Sequence, residues 1–84
     1  MTKQWYVYIL RCADDTLYTG VTNDPDRRLA QHNAGTASKC TRCRRPVDMV
    51  YKEPAEDKGA ALKREYAIKQ LSRSEKLILI EKAR

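Results

Sequence analysis

The sequence of 84 residues is 42% hydrophobic and 33% charged, which predicts one small globular domain over residues 1–84 and excludes a disordered chain. Seventeen Lys and Arg against eleven Asp and Glu give a formal net charge of +6. This charge favours a polyanionic partner, either nucleic acid or an anionic membrane surface, although it also suits ordinary solubility. No apolar run approaches the roughly 20 residues of a membrane span. We see no signal peptide, and three cysteines argue against a disulfide framework, so we expect a cytoplasmic protein that does not enter membranes.

A β-hairpin is predicted at the beginning of the chain. Trp5 to Cys12 is rich in aromatic and β-branched residues, and a polar turn separates it from a returning strand over Leu17 to Thr22. Tyr8 and Tyr18 share a face of this hairpin only if even-numbered residues pair with even-numbered ones. The sequence leaves that register open.

The first helix is predicted to begin at Pro25, after the capping residues Asn23 and Asp24, and to end near Asn33 before Gly35. The following residues, 36–46, are predicted to form a loop. Residues 47–51 have the composition of a third strand, which we expect Glu53 and Pro54 to break.

Two further helices are predicted in the second half of the chain. One follows Asp57 and reaches Leu71. The spacing of Ser72 and Glu75 is that of a capping box, which predicts a last helix over residues 73–82. The predicted fold is α+β, a small three-stranded antiparallel sheet flanked by helices in the order ββαβαα.

The first helix follows directly on Tyr18-Thr19-Gly20 and carries Arg28 and His32 on one face, since they are four residues apart. This pair is either part of a functional site or a solvated polar face. Gly20 is either a structural residue where the backbone passes close to another group or a simple turn residue.

Glu65 is the most unusual residue of the second half. Its neighbours on the same helix face are apolar, namely Ala61, Leu62 and Ile68. A carboxylate among apolar residues needs a cationic partner, and Arg28, Lys69 or a divalent metal ion could serve. Alternatively, Glu65 lies at the edge of the apolar stripe and pairs with Lys69.

The predicted loop contains both thiols and cations. Cys40 and Cys43 form a single CxxC, which favours two reduced thiols over a zinc site, because only Cys12 and His32 remain to complete four ligands. The clustered cations favour phosphate contacts slightly over a solvated loop, and they are Lys39, Arg42, Arg44 and Arg45.

Taken together, these motifs resemble the GIY-YIG (URI) nuclease superfamily, in particular its short stand-alone bacterial members. The first two are Tyr6-Val7-Tyr8 and Tyr18-Thr19-Gly20, followed eight residues later by Arg28. The resemblance covers essentially the whole chain. It implies a divalent-metal-dependent endonuclease acting on DNA, with branched or damaged DNA in repair or recombination among the substrates to expect.

The resemblance also implies roles for individual residues. A tyrosine oxygen, from Tyr8 or Tyr18, helps to deprotonate the attacking water, and His32 assists the tyrosines. Arg28 meets the scissile phosphate, and Glu65 holds one divalent ion, Mg²⁺ or Mn²⁺. A tyrosine with its ordinary pKa near 10 is a poor base at neutral pH, so we expect Arg28 and the metal to lower that pKa.

The chain departs from the family pattern at three points. Tyr6 stands in place of the first glycine, no asparagine follows Asn33, and Cys40 and Cys43 replace an expected Tyr and Gly. Two other functions therefore stay open: a nucleic-acid-binding module without hydrolysis, and a subunit whose protein partner supplies specificity.

Overall fold

A computed structural model describes residues 4–83, apart from the side chain of Cys40. These residues form a single three-stranded antiparallel sheet, in the order β2-β1-β3, and four helices. The elements in chain order are β1 (Trp5–Arg11), β2 (Leu17–Thr22), α1 (Pro25–Ala34), α2 (Lys39–Arg42), β3 (Asp48–Ala55), α3 (Lys58–Lys69) and α4 (Arg73–Lys82). The predicted α+β architecture is confirmed, with one short helix, α2, added to the predicted order.

The hairpin of β1 and β2 has the register that brings the two tyrosines to one face. Tyr8 pairs with Gly20 and Leu10 pairs with Tyr18, so even-numbered residues oppose even-numbered ones. Because successive side chains of a strand point to opposite faces, Val7 and Ile9 lie on the other side of the sheet. Both faces of β1 are buried.

The two faces of the sheet pack against different helices. On the odd-numbered face, Val7 and Ile9 form a core with Ala61 and Ile68 of α3 and Ile80 of α4. The even-numbered face carries a second core, in which Leu29 of α1 packs against its buried residues: Tyr8, Leu10, Cys12 and Val47. The central strand is thus covered on both sides, and this fixes the position of Tyr8.

The helices begin and end at capping residues, although α3 ends at Lys69, two residues before the predicted Leu71. The Asp24 side chain accepts a backbone N–H of the first turn of α1, and Gly35 ends that helix with φ of 82°. Asp57 caps α3 in the same way. Ser72 and Glu75 form the predicted capping box of α4.

The prediction of an irregular loop over residues 36–46 is wrong, because residues 39–42 form the one-turn helix α2. A single turn has no apolar periodicity to reveal it and depends on tertiary contacts. Those contacts are visible here: Thr41 is buried, and the Arg45 side chain donates a hydrogen bond of 2.8 Å to the carbonyl of Arg42.

The predicted end of the third strand is also wrong. β3 continues through Glu53 and Pro54 to Ala55, where it pairs with Trp5. Proline is compatible with this position because β3 is an edge strand, which need not donate every N–H to a neighbour. The Arg64 guanidinium of α3 lies 3.1 Å from the Glu53 carboxylate and ties that helix to the extended strand.

Candidate active site

Three aromatic rings meet on the even-numbered face of the sheet. The ring centroids of Tyr8 and Tyr18 are 6.4 Å apart, and those of Tyr18 and His32 are 5.2 Å apart in an edge-to-face arrangement. The hairpin register supplies the two phenols, and α1 supplies the imidazole from its last turn. Tyr8 and His32 are buried, whereas Tyr18 is partly exposed.

A chain of hydrogen bonds runs through this cluster. The Tyr8 hydroxyl lies 3.0 Å from Nε2 of His32, and Nδ1 of His32 lies 2.8 Å from Oγ1 of Thr41 in α2. The Thr41 hydroxyl in turn donates to the carbonyl of Ser38 at 3.4 Å. Both nitrogens of the imidazole therefore have protein partners.

Gly20 gives the Tyr8 phenol the room it occupies. A Cβ built on Gly20 would lie 2.5 Å from the Tyr8 hydroxyl oxygen and 2.7 Å from the adjoining ring carbon. No real side chain tolerates such distances without a shift. The absence of a side chain at Gly20 therefore allows the phenol to lie across β2 and reach His32.

The environment raises the pKa of Tyr8 well above its usual value near 10. Burial is the main cause, and the Tyr18 phenol adds to it, whereas Arg28 acts in the opposite direction and Glu65 raises the pKa further. The expectation that Arg28 lowers the pKa of this phenol is therefore right in sign but is outweighed by burial. At neutral pH the Tyr8 hydroxyl therefore keeps its proton.

The pKa of His32 is shifted in the direction that favours the neutral imidazole. Burial lowers the pKa of His32 below its ordinary value of 6.5, and the neighbouring Arg28 guanidinium lowers it further. Arg28 is half-buried and lines an open cleft of about 240 Å³ beside the beginning of α1, together with Arg27 and Gln31. Arg28 thus acts electrostatically on both members of the Tyr8–His32 pair.

Glu65 lies on α3 and is close enough to Tyr8 to act on its pKa. Its side chain is 20% exposed and lies 3.5 Å from the Lys69 ammonium group. Ala61 and Ile68 are buried beside it, but Leu62 is 44% exposed and is not part of the core. Glu65 therefore lies at the edge of the apolar stripe and pairs with Lys69.

The residues present suit a single, partly hydrated divalent cation better than a closed metal cage. Among residues 4–83, leaving aside the Cys40 side chain, no three His, Cys, Asp or Glu residues form a cluster that could hold a metal ion. Mg²⁺ needs fewer protein ligands than such a cluster, since it commonly keeps several waters and binds through one or two carboxylates and the substrate phosphates. The half-shielded carboxylate of Glu65 has the required oxygen chemistry.

Two cysteines, Cys12 and Cys43, have described side chains, and both are free thiols. Cys43 is free and exposed, and Cys12 is free and buried. The Cys40 side chain lies outside the part of the chain that the structure describes. Because both His32 nitrogens have other partners, His32 is not available as a zinc ligand in this arrangement.

The four cationic side chains of residues 39–45, here called the basic segment, differ in whether they already have partners within the protein. Arg44 forms an ion pair of 3.0 Å with Asp14 in the hairpin turn. Arg45 donates to the carbonyls of Arg42 and Asn33 and so secures the ends of α2 and α1. Lys39 and Arg42 are exposed, and within residues 4–83 their side chains have no ion-pair partner.

Sequence reasoning missed two residues that hold this site together. Thr41 contacts His32, yet nothing in the sequence pattern distinguishes it from the neighbouring polar residues. Asn33 forms two hydrogen bonds with the backbone of Val47, of 2.8 and 3.1 Å, and so joins the end of α1 to the beginning of β3. The only signal for Asn33 is its place beside His32 and ahead of Gly35.

A small antiparallel sheet that presents two tyrosines, a histidine and an arginine is the arrangement expected of the GIY-YIG class. The family model described as the GIY-YIG catalytic domain matches residues 4–78. The chain therefore belongs to the GIY-YIG family.

Within that family, it is similar to proteins named UPF0213. A UPF0213 protein of Natronomonas pharaonis is 50% identical over 80 residues, covering 95% of this chain and 94% of that protein. One from Staphylococcus haemolyticus is 51% identical over 76 residues, covering 90% and 93%.

Two solved structures share the fold. The solution NMR structure of the UPF0213 protein from Bacillus halodurans is 42% identical, with a TM-score of 0.60, and the match covers 93% of this chain and 83% of that one. The solution NMR structure of a protein from E. faecalis is 40% identical, with a TM-score of 0.65 and coverage of 96% and 86%. None of the helices described here has the length and apolar character that crossing a membrane requires.

Proposed function

We propose that this protein is a divalent-metal-dependent endonuclease that hydrolyses phosphodiester bonds in DNA. The observation that carries the proposal is the contact between the rings of Tyr8, Tyr18 and His32. Arg28 acts electrostatically on Tyr8 and His32, and Glu65 acts on Tyr8. Family membership supports nuclease chemistry, and the net charge of +6 supports a nucleic-acid substrate. We further propose branched or damaged DNA as the substrate, in repair or recombination.

In this mechanism, each side chain has one task. Tyr8 accepts a proton from the attacking water while its own proton moves toward His32, since a neutral phenol cannot act as a base unless it loses its proton. Arg28 stabilises the negative charge that grows on the phosphate. Tyr18, edge-on to His32, is the second phenol available to orient the water.

Glu65 would hold the divalent cation, which when bound supplies positive charge to the scissile phosphate and the leaving oxygen. For this role, Glu65 must exchange the Lys69 ammonium group for the cation. The Lys69 side chain of this pair is 51% exposed, and ion pairs that are open to solvent are worth only about 0–1 kcal/mol, so this exchange is not prohibitive.

We propose that Lys39 and Arg42 make the first contacts with DNA phosphates. Both are exposed and without an ion-pair partner within the described residues, whereas Arg44 and Arg45 are engaged in holding the fold. A domain of this size offers little surface for choosing a site, which supports a protein partner that supplies specificity. The free thiols of Cys12 and Cys43 agree with action in the cytoplasm.

Cleavage of flap, nicked and branched DNA in Mg²⁺ or Mn²⁺ tests the proposal. We expect activity that depends on the metal and is abolished in Glu65→Gln, which keeps the side-chain volume. The matched control is Glu81→Gln, an exposed glutamate on α4, and it should cut like the wild type. Cutting that survives in Glu65→Gln would mean that the site is wrong or that a contaminant cuts.

The second candidate is a nucleic-acid-binding module without hydrolysis. It is favoured by the Glu65–Lys69 ion pair, because within residues 4–83 Glu65 is the only carboxylate that acts on the pKa of Tyr8, and Lys69 already neutralises it. Salt-sensitive binding to all three DNAs without any product, together with unchanged affinity in Tyr18→Phe, would select it.

A further inference from the structure

We propose that Thr41 is a positioning residue that fixes His32 in the tautomer with its proton on Nδ1, so that Nε2 receives the phenolic proton of Tyr8. The inference rests on the proposed nuclease function and deepens it, because it assigns the final acceptor of the proton and adds a residue from α2. Neither Thr41 nor α2 is part of the family motifs that the sequence displays.

The direction of these hydrogen bonds follows from the last group in the series, the Ser38 carbonyl. The Ser38 carbonyl can only accept, so the Thr41 hydroxyl donates to it at 3.4 Å. With that donation, the Thr41 oxygen is the acceptor of the 2.8 Å bond, and we assign the imidazole proton to Nδ1. Nε2 is left with its lone pair directed at the Tyr8 hydroxyl, 3.0 Å away.

Burial makes this arrangement specific. Tyr8 is 2% exposed, and His32 and Thr41 are each 1% exposed, so bulk water has little access to the two imidazole nitrogens. A buried imidazole whose Nδ1–H lacks an acceptor would carry its proton on the other nitrogen instead, where the Tyr8 oxygen can accept it. In that tautomer, Tyr8 would accept from His32 and could not pass a proton to it.

The proposed proton transfers balance. As the water oxygen attacks phosphorus, one water proton moves to the Tyr8 oxygen and the phenolic proton of Tyr8 moves to Nε2, which gives an imidazolium ion. The P–O bond to the leaving oxygen breaks, and that oxygen takes a proton from solvent. The imidazolium then loses its extra proton through Tyr8 to solvent, and the neutral pair is restored. Thr41 stays bonded to Nδ1–H throughout.

The tautomer can be measured without any cleavage assay. The chain contains a single histidine, so the long-range ¹H–¹⁵N spectrum of the tag-free, ¹⁵N-labelled protein at neutral pH holds the signals of one imidazole. We expect Nδ1 protonated and Nε2 unprotonated in the wild type and in Thr41→Ser, which keeps the hydroxyl. In Thr41→Val, which keeps the shape but loses the acceptor, the proton should shift toward Nε2.

Cleavage kinetics provide the second readout. For Thr41→Val we expect kcat to fall about tenfold or more, with KM nearly unchanged, as for other groups that orient a histidine. Thr41→Ser should recover most of the rate. Thr36→Val is the matched control, because its hydroxyl donates to the Gln31 carbonyl and, among the described residues, forms no hydrogen bond with His32.

A wild-type spectrum with the proton on Nε2 would overturn this inference, even if Glu65→Gln abolishes cleavage and the nuclease proposal stands. A Thr41→Val protein with unchanged spectrum and unchanged kcat would overturn it as well. Conversely, the expected tautomers in a protein that cuts no DNA would leave the positioning of His32 intact while the nuclease proposal fails. If Thr41→Val does not fold, the wild-type spectrum and Thr41→Ser decide.

Discussion

Tyr8 lies directly opposite Gly20 in the hairpin, and its hydroxyl occupies the space that a side chain at position 20 would need. The two residues are therefore interdependent: the phenol reaches His32 only because β2 has no side chain there.

We predict that Gly20→Ala disrupts the site. The added methyl group would force the Tyr8 phenol to move, and overpacking of this kind typically costs about 1–3 kcal/mol in the free energy of unfolding. Urea denaturation should show this loss. Gly59→Ala is the control, because its Cβ makes only an ordinary contact at 3.4 Å and alanine is the better helix former. Equal stability of the two variants would contradict the prediction.

We predict that the stability of the protein decreases when the pH falls below about 6.5. The fold lowers the pKa of His32, so the unfolded chain takes up a proton at a pH where the folded protein does not. Above pH 6.5, the ordinary pKa of the imidazole, the protonation of His32 should not affect the free energy of unfolding. Below that pH, the free energy of unfolding should decrease, with a slope that corresponds to the uptake of less than one proton on unfolding. Thermal melts across this range measure the effect.

The matched variant for this prediction is His32→Gln, which does not titrate. Its stability should be nearly flat between pH 6.5 and about 5. Asp14 and Glu75 also have a lowered pKa, so their contributions are lost only as the pH falls from their ordinary values of 3.8 and 4.5. A slope of equal size in His32→Gln would assign the effect to other groups.

We predict that Arg28→Gln raises the pKa of His32. The guanidinium disfavours the imidazolium ion, and its removal relieves that repulsion. An NMR titration of the single histidine measures the shift directly. Cleavage should fall about 10²–10³-fold, as for the loss of other groups that stabilise charge in the transition state. Arg27→Gln, on the same turn but exposed, should change both quantities far less.

We predict that Tyr8→Phe abolishes most of the cleavage activity and leaves the fold intact. Loss of the hydroxyl removes the group between water and His32, and general acid–base contributions are typically about 10²–10⁴-fold. The stability cost should be near 1 kcal/mol, the usual value for one hydrogen bond. Tyr66→Phe, at a tyrosine that is 69% exposed on α3, should behave as the wild type. Full activity of Tyr8→Phe would exclude this phenol from the reaction.

We predict unequal roles for the cations of the basic segment in DNA binding. Lys39→Gln and Arg42→Gln should each weaken binding at low salt and reduce the salt dependence by about one phosphate contact. Arg44→Gln should change it less, because Asp14 already neutralises that guanidinium. Fluorescence anisotropy over a salt series gives these slopes, and equal slopes for all three variants would contradict the prediction.

Much of the fold could be predicted because the signals are local. The hairpin, α1 and α4 each carry turn or capping residues within a few positions of their ends, such as Asp24 and Gly35 around α1. The composition of β3 indicated a strand, but Pro54 suggested a break that the edge position makes unnecessary. Whether a strand lies at an edge depends on the whole sheet and cannot be seen in one segment.

The candidate residues could be proposed from the sequence, but their partners could not. Thr41 meets His32 only because the chain reverses after Gly35 and forms one helical turn. The pairing of Arg44 with Asp14 joins residues 30 positions apart, and no periodicity indicates it. The rise in the pKa of Tyr8 depends in the same way on burial by several elements together.

Pro54 has a consequence beyond the length of β3. An edge strand normally offers unpaired N–H groups to any extended segment that approaches, which is how sheets of separate molecules become joined. A proline near the end of the outer strand removes one such donor, and the Lys52 side chain nearby adds charge along the same edge. The small sheet can thus stay exposed at its rim while remaining poorly suited to continue into the sheet of a second molecule.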